Sequence, residues 1–130
     1  MSENNTSSIR IPTLLGLVVD DDGDAIGILE EFIPHEFDLG RAEGGVAAVP
    51  KEQRTKWAEQ IGQTVEQLHE LGVEWGDGKP HNVLIHSGTN DCWLVDFGGG
   101  WTDGWVDEEL METRAGDKQA VVKIIDFLAV

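Results

Sequence analysis

Between residues 50 and 98 the chain passes through three textures, and their order restricts the fold more than any other feature. From Pro50 to Leu71 apolar residues recur at helical spacing: Trp57, Ile61, Val65, Leu68 and Leu71 are four, four, three and three apart. That spacing puts them on one face of an α-helix. Pro50 suits the first turn and Gly72 the C-terminal stop, while Gly62 inside the stretch costs about 1 kcal/mol relative to Ala. Residues 73–81, VEWGDGKPH, are broken by Gly76, Gly78 and Pro80 and read as a loop. Two short apolar runs follow, Asn82 to Ile85 and Cys92 to Val95, separated by turn residues from Ser87 to Asp91. They predict a β-hairpin. The polar residues fall in a pattern, with Asp77 and Lys79 in the loop and Asn82 and Asp96 at the outer ends of the two strands.

The flanking segments are simpler. Thr13 to Val19 and Ala25 to Phe32 are apolar runs joined by Asp20-Asp21-Asp22-Gly23-Asp24, which predicts a first hairpin. The acidic turn lacks the longer ligand pattern and distal Glu of a calcium loop and reads as solvated. Residues 35–49 read as a loop or broken helix. Near the C-terminus, Asp117 suits the cap of a helix on which Val121, Ile125 and Leu128 share a face.

Composition limits the function classes. At 130 residues and 40% hydrophobic, the chain supports a single hydrophobic core. The formal net charge of −16 repels phosphate backbones and anionic lipid, which argues against nucleic-acid and membrane partners and favours metal cations or basic segments. Cys92 is the only cysteine, which excludes a disulfide framework and a zinc site of paired cysteines; within a strand it reads as a small buried hydrophobe. His35, His69, His81 and His86 show no metal-ligand spacing and read as core or surface residues. With no signal-like apolar stretch near Met1, an intracellular, cytoplasmic protein is expected.

The joint pattern Asp77-x-Lys79-Pro80-x-Asn82, an apolar strand, and Asp96-Phe97-Gly98, behind a helix ending in Leu68-His69 and Leu71-Gly72, resembles the catalytic loop and metal-binding strand of eukaryotic-type protein kinases. The resemblance implies an α+β protein kinase-like fold, mainly the C-lobe core with a remnant N-lobe β-hairpin. It also implies phosphoryl transfer that depends on ATP and Mg, with a protein Ser/Thr hydroxyl as acceptor. That chemistry needs a carboxylate at the attacking hydroxyl, a cation near the transferred phosphate and hard oxygen ligands for magnesium. Asp77 would supply the first, Lys79 the second, and Asn82 with Asp96 the third.

The resemblance extends outward from this motif. Ala25 to Pro34 looks like the last N-lobe strand entering the hinge, so that Glu31 and Ile33 would offer backbone groups to adenine and Leu84 would pack beneath the ring. Asp117 matches the residue that braces the catalytic loop in the family. The stretch GGGWTDGWVDEELMETRAGD stands in the place of the activation segment and looks like fungal kinase-like proteins. Residues 12–130 then form a partial kinase-like domain behind a disordered tail at 1–11.

Departures matter too. Trp75-Gly76 stand where the family usually has His-Arg, which removes the Arg anchor for control by a phosphorylated activation loop. No glycine-rich phosphate loop is present, nor any lysine before Lys51, so loss of activity through truncation is expected. Two alternatives stay open: a pseudokinase or scaffold module binding a protein partner, and a small-molecule phosphotransferase of the aminoglycoside or choline type, which Gly76-Asp77 suits.

Overall fold

The computed structural model describes residues 9–42, 45–96 and 113–130. In chain order it forms β1 (Leu14–Val19), β2 (Ala25–Glu30), β3 (His35–Asp38), α1 (Lys51–Glu70), β4 (Val83–His86), β5 (Cys92–Leu94) and α2 (Arg114–Leu128). Short 3-10 turns lie at Leu39–Arg41, Val46–Ala48 and Pro80–Asn82. The strands make two sheets, β1–β2 alone and β3–β4–β5, with antiparallel pairing throughout. The α+β class expected from the sequence is the one observed. Residues 97–112, which include Phe97, Gly98 and most of the expected activation segment, lie outside the described residues, as do residues 1–8.

Helix α1 follows its apolar spacing. Trp57, Ile61, Val65 and Leu68 are buried together with Ala58, Thr64 and His69. The helix ends in a Schellman turn: Val73 N donates to Leu68 O and Gly72 N to His69 O, with Gly72 at φ +79. Leu71, expected to end the buried face, lies past the last helical turn and is exposed.

The β4–β5 hairpin lies against this helix through polar clamps as well as apolar packing. The Gln60 side chain donates to Asp91 Oδ1 at 2.8 Å and accepts from Cys92 N at 2.9 Å, while Trp57 Nε1 donates to Asn90 O at 2.9 Å. Strand alternation then turns Val83, Ile85, Cys92 and Leu94 into the core.

Two expectations are corrected on the flanks. Residues 35–38, read as loop, form β3 and extend the second sheet, pairing Phe37 with Ile85 and Asp38 with Leu84. The run HEFD is too short and polar to signal a strand, and it is the edge of β4 that recruits it. In α2, Thr113 rather than Asp117 is the N-cap, its side chain accepting from Gly116 N at 3.0 Å. The buried face is Gly116, Asp117, Ala120, Ile124 and Leu128, so Val121 and Ile125 only flank it. Arg54 closes the far end of α2 by donating to Leu128 O at 2.7 Å.

Residues 9–11 meet the core and the edge of the second sheet. Ile9 and Ile11 pack against the core, and Arg10 O accepts from Leu94 N at 3.1 Å, giving β5 a partner on its outer edge. The β1–β2 hairpin is different, because nearly all its side chains are exposed and it stands apart from this core. No described helix is long and apolar enough to cross a membrane.

Ile61→Ala is expected to destabilise the fold by about 2–5 kcal/mol, and Leu71→Ala to stay within about 0.5 kcal/mol, both read from urea midpoints. The Asp91 carboxyl gives a pH signature. Burial alone would raise it, but hydrogen bonds from Gln60, Lys56 and Thr89, with the Lys56 charge, outweigh burial and lower it from 3.8 to about 2. A lowered folded value contributes stability that is full above about pH 4 and lost as pH falls toward about 2. Asp91→Asn should therefore be less stable than the parent at pH 6, and the gap should close across that window in urea melts.

Candidate active site

The turn after α1 delivers the chain to the carboxylate of Asp117 on α2. Asp117 Oδ2 accepts from Trp75 N at 2.7 Å and lies 2.8 Å from His69 Nε2, while Oδ1 accepts from Gly76 N at 2.9 Å. Asp117 is buried, so these bonds act with little competition from water. His69 is itself held from behind, since Arg114 donates to its carbonyl at 2.6 Å. One carboxylate thus joins the end of α1, the loop and the start of α2.

Trp75 carries the connection onward. Its ring is buried, and Nε1 donates to Val95 O at 2.9 Å, one residue before Asp96. The two glycines around Asp77 are each required for a different reason. Gly76 sits at φ +87, a conformation that side chains disfavour. A Cβ on Gly78 would lie 2.7 Å from Ala120 Cβ and 2.9 Å from the Trp75 ring, so only hydrogen fits there.

Three of the expected site residues meet here. Asn82, in the turn before β4, donates from Nδ2 to Asp77 O at 2.8 Å and lies 3.3 Å from Asp77 Oδ2. Lys79 Nζ stands 3.9 Å from Asp77 Oδ2. Asp77 and Asn82 are buried at the side of the loop, and Lys79 is partly exposed. Asp96 belongs to the same end of the hairpin, because Val95 N donates to Asn82 O at 3.0 Å. It is exposed and adopts φ +66, a left-handed turn that redirects the chain as it leaves the sheet. Asn82, expected to open the first strand of the hairpin, sits just before β4, and Asp96 sits just after β5.

The residues expected to contact adenine lie beside the second sheet and on its strand β4. Glu31 and Ile33 lie on the segment joining β2 to β3. Glu31 N donates to Thr13 O at 2.8 Å, so its backbone N–H is already used by the hairpin. Ile33 is buried, and its carbonyl lies 2.7 Å from His35 Nδ1. Leu84 alternates with the core residues Val83 and Ile85 and turns to the opposite side of the sheet, half-buried. Cys92 is no nucleophile, since burial pushes its thiol far up.

Sequence reasoning missed the parts played by His69 and Trp75. His69 had a signal, its place one residue after Leu68 on the buried helical face. Trp75 had none, because the acceptor of its indole N–H is a backbone carbonyl 20 residues away.

The model of the lipopolysaccharide kinase (Kdo/WaaP) family matches residues 27–103, more than half of the chain. The chain belongs to this family. A 3-deoxy-D-manno-octulosonic acid kinase from Xylella fastidiosa (strain 9a5c) is 38% identical over 45 residues, covering 35% of this chain and 17% of that protein. Among solved structures, the Cydia pomonella Granulovirus kinase PK-1 superposes with a TM-score of 0.75 at 16% identity, over 94% of this chain and 50% of that one. A mutant form of the PknI kinase domain of Mycobacterium tuberculosis gives 0.73 at 17%, over 92% and 50%. The fold is therefore kinase-like, and the chain spans about half the length of these structures. The sequence pattern had suggested the protein kinases; the family model refines this to the lipopolysaccharide kinases on the same fold.

Asp117→Asn retains one acceptor oxygen for three donors. It is expected to cost about 3 kcal/mol or more. Hydrogen exchange should show the Trp75 and Gly76 amides losing protection ahead of amides within α1.

Proposed function

We propose that the chain carries the phosphoryl-transfer site of a lipopolysaccharide kinase-family enzyme, moving phosphate from a magnesium-bound nucleotide to a hydroxyl. The observation that supports this best is the bonded cluster of Asp77, Lys79 and Asn82 with Asp96 at the same hairpin end. Asp77 orients the acceptor hydroxyl and takes its proton as the oxygen attacks. Lys79, beside that carboxylate, offsets negative charge on the transferred group.

The donor set fits magnesium, a hard cation that takes oxygen ligands. Bonding of Asn82 Nδ2 to Asp77 O leaves Asn82 Oδ1 as that side chain's acceptor, and Asp96 adds an exposed carboxylate. Asn82 and Asp96 would hold the ion, which would neutralise phosphate charge when bound. Nucleotide would lie against Leu84, near the carbonyls of Glu31 and Ile33.

A sugar hydroxyl is the acceptor we favour, on the strength of the family match and the sugar-acid kinase relative. A protein Ser/Thr hydroxyl is the second reading, supported by Lys79-Pro80 following Asp77. A non-catalytic binding module is a third, supported by the run from Ile11 to Pro50, which carries no lysine to position a nucleotide.

Thermal melts with and without magnesium and ATP test the site. Ligand at 100 times its dissociation constant should add about 2.7 kcal/mol. The shift should require magnesium and vanish in Asp96→Ala, whereas Asp77→Ala should keep it and lose transfer to 3-deoxy-octulosonate or peptide acceptors. A shift without transfer to either acceptor would favour the binding module.

A further inference from the structure

Asn82 is tied on one side by the bonds already described, its amide donating to Asp77 O and its carbonyl accepting from Val95 N. The turn that carries it is also met by the chain that leaves β3, through a side chain that phosphoryl transfer does not use. In the 3-10 turn Pro80–Asn82, Pro80 and Asn82 are buried and His81 between them is exposed. The His81 imidazole nevertheless has a fixed neighbour. A Cβ on Gly40 would stand 2.8 Å from its Cε1 and Nε2 and 2.9 Å from its Nδ1. An edge-on ring would bring Cε1 closer than both nitrogens, so the near-equal distances lay the ring face-down on the glycine.

Gly40 is a firm seat. It lies in the 3-10 turn Leu39–Arg41, and Leu39 beside it is fully buried in the core. This turn follows directly on β3, whose Asp38 pairs with Leu84 two residues after Asn82. Gly40 has no left-handed backbone, so the glycine serves the close approach and not a special φ. The ring makes no hydrogen bond or ion pair among the described residues. What Gly40 accommodates is therefore the ring's shape.

A 3-10 turn has poorer hydrogen-bond geometry than an α-helix and gains from contacts outside itself. Groups that touch a metal ligand from behind set its orientation, and losing one commonly costs about 10–100-fold in metal affinity. We infer that Gly40 and His81 form a single packing contact that positions Asn82 for magnesium. The inference rests on the reading of Asn82 as a magnesium ligand. His81 is a positioning residue in it: the ring braces the turn, and Asn82 Oδ1 is held where the ion would meet it.

The test uses the full chain with ATP at a fixed concentration and magnesium varied. The quantity read is the magnesium concentration that gives half of the melting shift, measured for each variant against its own melt without ligand, so that a change in stability alone does not move it. His81→Ala should raise this midpoint about tenfold or more. Gly40→Ala, whose methyl displaces the ring, should raise it equally, and the double substitution no further, because both changes remove the same contact. His81→Phe keeps a flat ring without nitrogens and should stay at the parent value. If His81→Phe instead behaves like His81→Ala, the proposal is overturned and the ring nitrogens are assigned to a ligand. Additive losses in the double variant overturn it as well, since the two residues would then act separately. Should Gly40→Ala fail to melt cooperatively, the two His81 variants decide. Parent-like midpoints for the alanine variants beside a normal parent shift reject this inference alone, whereas a parent with no magnesium-dependent shift rejects the metal reading of Asn82 together with it.

Discussion

The carboxylate of Asp117 is the interaction on which the rest of the site depends. Backbone N–H groups in a loop must find acceptors once they are removed from water, and a neutral carbonyl rarely satisfies two adjacent donors. Asp117 does so for Trp75 and Gly76 while also bonding His69. The peptide units just before Asp77 are therefore held in one orientation by a charge on a different helix. Because charge-assisted bonds are the stronger class, this single side chain sets where the loop begins.

Trp75 extends that constraint to the second half of the site. Its backbone is held by Asp117, its face lies under Gly78, and its indole N–H reaches Val95 O. Displacing the ring would disturb the loop carrying Asp77 and Lys79 and the strand end leading to Asp96 together. A His-Arg pair in this position would offer a smaller ring and an additional cation. The Trp-Gly pair instead fills the space with apolar volume and allows the sharp turn at Gly76. The site's rigidity therefore comes from buried packing and backbone bonds, with no Arg directly before Asp77 to contribute.

The hairpin at the other end of the chain follows the opposite logic. Its strands form because β-favouring runs flank a turn in which Asp20 Oδ1 accepts from the backbone of Asp22 and Asp24. It buries little of what it presents. A two-stranded ribbon is at best marginally stable alone.

Local order was legible in the amino-acid sequence wherever it is written in neighbouring residues. The spacing of Trp57, Ile61, Val65 and Leu68 specified α1, Gly72 its end, and the turn at Ser87 to Asp91 the β4–β5 hairpin. The pattern from Asp77 to Asp96 carried the resemblance to kinases, and the family match bears that out at the level of a kinase-like domain. Tertiary structure decided what depends on partners distant in sequence. Strand β3 exists because β4 offers it an edge, Thr113 caps α2 because Asp117 is drawn inward, and Asn82 turns its amide to Asp77 O only once the loop is folded. The acceptor of the Trp75 indole N–H, the Val95 carbonyl, could be found only in three dimensions, since a backbone carbonyl leaves no trace in residue identity.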